Sequence, residues 1–132
     1  MEKRIPIITL TGSGRFIEQG IELAIELERC GCIVFWIFAN SYSSVKNNVF
    51  NRKYKAMADM VYIHKIQLSD LLVVLDYEGY IGESTEREIC YGKTIGISIL
   101  YVSEFGDNPE NIYNIVIENK KNGGLNVKNK YG

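Results

Sequence analysis

The feature that most constrains this chain is the alternation in its first 39 residues. Ile5 to Thr11 is apolar, mostly β-branched and bounded by glycine, which predicts a buried strand with Pro6 tolerated at its start. Phe16 to Cys30 carries apolar residues at Phe16, Ile17, Ile21, Leu23, Ala24, Ile25 and Leu27, mostly three or four apart, which predicts an amphipathic helix ended by Gly31. Cys32 to Ala39 is a second apolar segment, expected as a strand that holds Phe35 and Trp36 in the core. Strand, helix and strand in so short a span form a βαβ unit, the building block of parallel sheets with right-handed crossovers.

The rest of the chain extends the pattern. Asn40 to Lys53 reads as a polar loop, Tyr54 to Leu68 as a helix and Leu71 to Asp76 as a strand, fully apolar until its last residue. A glycine-containing loop covers Tyr77 to Glu83. A short helix is expected over Ser84 to Lys93, a strand over Ile97 to Val102 and a last helix over Pro109 to Lys120. The expectation is therefore a single α/β domain over residues 1–120: an open, mostly parallel sheet of four to five strands flanked by helices, flavodoxin-like or Rossmann-like. A polar tail follows at 121–132, and the Asn-, Lys- and Gly-rich stretch from Asn119 onward is expected to fray.

Composition narrows the function classes. A formal net charge of -1 is not that of a protein that coats nucleic acid, so no nucleic-acid polymer is expected as partner. No apolar run is long enough to span a bilayer, and no membrane partner is expected. Cys30, Cys32 and Cys90 make an odd count without an export signal, which fits free thiols in a reducing, cytoplasmic compartment. The C-x-C spacing gives no metal site, no cofactor is implied, and Cys90 reads as a helix-face packing residue.

In open parallel sheets, ligands bind beyond the carboxyl ends of the strands. Two loops leave those ends. The first, Thr11-Gly12-Ser13-Gly14-Arg15-Phe16, offers close backbone approach, helix N–H groups, a guanidinium for an anion and an aromatic ring for stacking or packing. A tight β-to-α turn would use the same glycines. The third glycine of a dinucleotide fingerprint is absent, because Ile17 stands there.

The second loop is Asp76-Tyr77-Glu78-Gly79-Tyr80-Ile81-Gly82-Glu83-Ser84-Thr85. Thr85 and Glu88 have the T-x-x-E spacing of a capping box, in which Glu88 satisfies a backbone N–H. The same first-turn position would keep the carboxylate ionised and aim it into the cleft, where it could attack an anomeric carbon. Asp76 ends its strand at the cleft edge, as a catalytic acid or a turn cap. Asp70, at the opposite end, is expected to cap the preceding helix. His64 is expected as a packing or surface residue, while Tyr42, Tyr54 and Tyr62 are candidates to line a base pocket.

Three segments carry a resemblance. Ile8 to Phe16 resembles the "TLxGSTRF" opening of a widespread family of uncharacterised bacterial and phage proteins. Lys65-Ile66-Gln67-Leu68-Ser69-Asp70 resembles its "KIDLSD" segment, and Gly79 to Thr85 with Glu88, Ile89 and Tyr91 resembles its "GYIGESTxxEIxYA" signature. The match covers roughly residues 5 to 102. That family looks like a branch of the nucleoside 2-deoxyribosyltransferase-like fold, whose members cleave N-glycosidic bonds of deoxynucleosides or nucleotides. The resemblance implies a small-molecule nucleoside or nucleotide as partner and a homo-oligomer. It makes Glu88, opening Glu88-Ile89-Cys90-Tyr91-Gly92, the nucleophile. It also implies phosphate or sugar contacts from Gly12, Ser13, Arg15, Ser84 and Thr85.

The sequence departs from the pattern at three places. Tyr62 stands where characterised transferases carry a second acid, with Asp59 three residues earlier. Gln67 replaces an aspartate and Gly14 a threonine. Glu83, Glu86 and Asp76 are candidates to replace the missing acid. The expected function is an N-glycosidase or 2-deoxyribosyltransferase-like enzyme, with a non-catalytic nucleotide-binding or signal-sequestering module as the alternative.

Overall fold

The computed structural model describes residues 4–37 and 48–121, with 48–54 and 120–121 as backbone only. The elements are β1 (Ile7–Gly12), α1 (Ile17–Cys30), β2 (Ile33–Phe35), α2 (Asn48–Leu68), β3 (Leu71–Leu75), α3 (Glu83–Ile95), β4 (Ile99–Tyr101), α4 (Val102–Phe105) and α5 (Pro109–Lys121). The four strands form one sheet in the order β2-β1-β3-β4, and every pairing is parallel. This is the open α/β architecture expected from the alternation.

The sheet is sandwiched because its central strands are apolar on both faces. All five residues of β3 are buried, which fits a strand covered above and below. Ile8, Leu10, Leu71, Val73, Leu75 and Leu100 pack with Leu23 and Leu27 of α1 and Ile112 and Val116 of α5. Leu72, Val74 and Ile99 pack on the opposite face with Tyr62 and Ile66 of α2 and Ile89 of α3. Each of these large side chains contributes on the order of 1.5–3 kcal/mol on burial.

Several boundaries move from their expected places. β2 stops at Phe35, so Trp36 follows the strand and does not lie within it. It is still buried, and its indole Nε1 donates to the Ile17 carbonyl (3.1 Å). Residues 48–53, expected as loop, begin α2; residues 38–47, including Tyr42, lie outside the described residues, as do 122–132. Ile21 and Ile25 of α1 face outward, and the buried stripe is Gly20, Leu23 and Leu27. Cys90 is exposed and not a packing residue, because its position on α3 faces away from Ile89 and the sheet.

Asp70 is also not a helix cap. Its carboxylate accepts from the Ile7 N–H (2.8 Å) and the Arg4 guanidinium (3.1 Å), and its N–H donates to the Ile7 carbonyl (2.7 Å). Asp70 thus clamps the start of β1 beside β3. Asn119, expected to fray, is buried in α5, and its side-chain amide donates to the Asp70 carbonyl (3.4 Å).

One glycine is dictated by packing. A Cβ at Gly20 would lie 2.2 Å from the Trp36 ring, well inside contact distance. The indole would have to leave its slot and its bond to Ile17. Gly20→Ala is therefore expected to destabilise the fold by about 1–3 kcal/mol, despite alanine's better helix propensity. Denaturant unfolding followed by Trp36 fluorescence measures this, and an unchanged or higher midpoint would contradict the packing.

Candidate active site

The chain leaves β1 for α1 on one face and leaves β3 for α3 on the other. The order β2-β1-β3-β4 makes β1 and β3 neighbours, so their carboxyl ends flank the topological switch point where such folds open a crevice. Gly12 pairs with Leu75 there, and a Cβ at Gly12 would meet the Leu75 side chain and carbonyl at 3.0 and 3.1 Å. The residue at this position must be small for the two strands to stay paired up to the edge.

The floor of the crevice is polar. β1 alternates, so Ile8 and Leu10 face α1 and α5 while Thr9 and Thr11 turn their buried hydroxyls toward α2 and α3. Thr9 Oγ1 bonds to the Lys65 carbonyl (3.2 Å) and to the Ser69 hydroxyl, which anchors the C-terminal end of α2. Tyr62 donates its hydroxyl to the Leu10 carbonyl, so it ties α2 to β1 and leaves the base-pocket role expected of it to other residues.

Thr11 donates to the Glu88 carboxylate in a short hydrogen bond. This overturns the capping box. Gly82 is the N-cap of α3, so Thr85 is inside the first turn and buried, and Glu88 lies a turn further along. Glu88 is thus held by β1 and not by its own helix end. Burial pushes its carboxyl above the ordinary glutamate range. The Thr11 hydrogen bond opposes that shift, Asp59 adds to it, and Arg87 and Lys55 offset part of it. First-turn ionisation by the helix dipole is not the governing effect.

Asp59 sits on α2 one turn before Tyr62, about 4.5 Å nearer the open edge of the sheet. It pairs with Lys55 (3.0 Å). The crevice floor therefore carries one half-buried carboxylate, with a carboxylate–ammonium pair above it on the neighbouring helix.

The two glycine-containing loops meet over the other side. The Arg15 guanidinium stacks on the Tyr80 ring (3.7 Å to its centroid). Phe16 is buried edge-on to Tyr77 and Tyr80, with centroids 5.2 and 6.2 Å away, so it packs and does not present a free stacking face. Ser13 caps the 3-10 turn at Gly14–Phe16 by accepting from the Arg15 N–H (3.2 Å). Glu78 adopts a left-handed backbone (φ 57°, ψ 22°) before Gly79 (φ 76°), a conformation that costs a non-glycine residue energy. Ile81 packs on the α2–α3 side, Gly82 caps α3, Glu83 is exposed, and Ser84 accepts from Arg87 (3.2 Å).

Asp76 is buried, and both its oxygens are engaged by Ser103, one by the backbone N–H (2.9 Å) and one by the hydroxyl (2.7 Å). It ties β3 to α4 and makes no side-chain cap bond to its own 77–79 turn, so its carboxylate is committed to Ser103. Sequence reasoning missed Ser103 and the Thr11–Glu88 contact. The signal for the latter was present: Thr9 and Thr11 are two polar residues, two apart, in an otherwise apolar strand.

Comparison with models of known families, with curated proteins and with solved structures finds no match for this chain.

A raised folded-state value for Glu88 fixes a sign. The folded protein holds that proton more tightly than the unfolded chain, so the stabilisation is present in acid and is lost as pH rises through the raised value. Glu88→Gln keeps an acceptor for Thr11 and removes the buried charge. Wild type and E88Q should melt alike near pH about 4, and E88Q should be the more stable at about pH 7. A variant less stable than wild type at neutral pH would contradict the assignment.

Proposed function

We infer that this chain acts on the N-glycosidic bond of a nucleoside or nucleotide, as an N-glycosidase or 2-deoxyribosyltransferase, with Glu88 as nucleophile. The observation that supports this reading best is the placement of Glu88: a half-buried carboxylate, oriented by Thr11, at the switch-point edge of β1. The resemblance of Gly79 to Tyr91 to the "GYIGESTxxEIxYA" signature points the same way.

In this reading Glu88 attacks C1′ as the C1′–N bond breaks, and the electron pair leaves with the base. Desolvation leaves the ionised carboxylate poorly stabilised and correspondingly nucleophilic. The base takes a proton from solvent as it departs. Water or a second base then attacks C1′ and frees Glu88, with the acceptor's proton lost to solvent or a nearby carboxylate. Asp59 suits that proton relay better than the other carboxylates. Asp76 is engaged by Ser103, and Glu83 and Glu86 are exposed on α3. Arg15, braced on Tyr80, and the backbone of Gly12 to Gly14 hold the sugar or phosphate end, with Gly79 to Ser84 forming the opposite wall. The ligand is a free small molecule, the compartment is the reducing cytoplasm, and the working form is a homo-oligomer.

A binding module is the second reading. It is favoured by Tyr62, which replaces the second acid with a hydroxyl already spent on the Leu10 carbonyl. Incubation with a panel of nucleosides and nucleotides, read as free base by chromatography, separates the two. Base release by wild type, reduced by a factor of about 10³ or more in Glu88→Ala, is the expected result. Thermal stabilisation by one nucleotide without base release would establish the binding module.

A further inference from the structure

Two consecutive residues at the root of the second loop are held by one short segment outside both loops. Asp76 accepts from the N–H and the hydroxyl of Ser103 at 2.9 and 2.7 Å, and the Tyr77 hydroxyl donates to the Asp107 carboxylate at 2.8 Å. Ser103 lies in α4. The chain leaves α4 through Gly106, whose φ of 91° favours glycine, and Asp107 is the next residue. Burial, the bond to Asp107 and the nearby Glu22 push the Tyr77 hydroxyl above the ordinary tyrosine range, so at neutral pH it keeps its proton and donates.

The contacts continue from Tyr77 into the first loop. Its ring meets Phe16 edge-on at 5.2 Å, Phe16 meets Tyr80 at 6.2 Å, and the Tyr80 ring carries the Arg15 guanidinium at 3.7 Å. Between Tyr77 and Tyr80 the backbone turns through Glu78 and Gly79 in the left-handed region (φ 57° and 76°). A non-glycine residue persists in that region only where its flanks hold it. On the β3 side the holding bonds are Asp76–Ser103 and Tyr77–Asp107.

We propose that Asp107 is a positioning residue that acts through Tyr77, Phe16 and Tyr80 to set where the Arg15 guanidinium stands. This rests on the reading that Arg15 holds the sugar or phosphate end of the ligand. An arginine arm loses rotamer freedom when it binds, and one already stacked on a fixed ring has less to lose. The brace therefore acts on ligand affinity. It is separate from the nucleophile, because the groups that act on Glu88 are Thr11, Asp59, Arg87 and Lys55, on β1, α2 and α3.

Asp107 is exposed, so Asp107→Ala should fold as wild type does, and Asp107→Asn keeps an acceptor oxygen for Tyr77. Hydrogen exchange reads the brace without substrate. The Gly79 and Tyr80 amides close the turn on the Asp76 and Tyr77 carbonyls (2.9 and 3.1 Å). Their exchange should be faster by about 5-fold in Asp107→Ala and in Tyr77→Phe, no faster again in the double variant, and near wild type in Asp107→Asn, with the β3 amides unchanged. Kinetics read the consequence. With a nucleotide that releases its base, Asp107→Ala should raise KM by about 5-fold at wild-type kcat, and Asp107→Asn should restore it. Unchanged exchange at Gly79 and Tyr80, additive effects in the double variant, or a fall in kcat at constant KM would each overturn the proposal. Absence of base release from every nucleotide would contradict the glycosidic reading instead, and the exchange result would still decide the brace.

Discussion

The β1–β3 pairing is the constraint on which the rest of the molecule depends. Both strands are buried on both faces, so neither can be satisfied by one layer of helices. The chain supplies two, by sending β1 into α1 on one side and β3 into α3 on the other. That divergence makes the carboxyl ends of β1 and β3 the switch point of the sheet, and the close approach of Gly12 to Leu75 carries the pairing to its edge. Asp70 clamps the same pair at the opposite end, through its bonds to both the N–H and, from its own backbone, the carbonyl of Ile7.

Much of this architecture is written in local pattern. The run Leu71 to Leu75 is apolar at consecutive positions, as a doubly covered strand requires, and Gly31 ends α1 in the left-handed conformation its position demands (φ 109°). The boundaries that moved were decided by partners distant in sequence. α3 begins at Glu83 behind the Gly82 cap, with Thr85 buried inside its first turn, so the local T-x-x-E pattern was outcompeted by burial against the sheet. Asp76 was ambiguous between acid and cap until Ser103, 27 residues on, supplied both its partners. Asp70 looked like a cap from its neighbours and proved to be a clamp because Ile7 and Arg4 lie beside it only in the fold.

The candidate site was legible to the level of loops and one glutamate. Its two loops do meet at the switch point, and Arg15, Phe16, Tyr77 and Tyr80 form one contact group. What spacing alone could not convey is which groups remain free. Phe16 is buried, Thr85 is buried and Asp76 is engaged by Ser103, whereas Glu88 is half-buried and held, among the described residues, by the Thr11 hydroxyl. Burial makes a carboxylate placed so costly to ionise, and groups perturbed in this way cluster at functional sites.

The most direct test of that use is a covalent one. Wild-type protein mixed with a deoxynucleoside or deoxynucleotide and quenched in acid can be weighed by intact-mass spectrometry and the adduct mapped by peptide digestion. A gain of one deoxyribosyl group, or its 5′-phosphate, on the peptide carrying Glu88 is the predicted result. Release of free base with no adduct, or an adduct on another residue, would contradict Glu88 as the nucleophile.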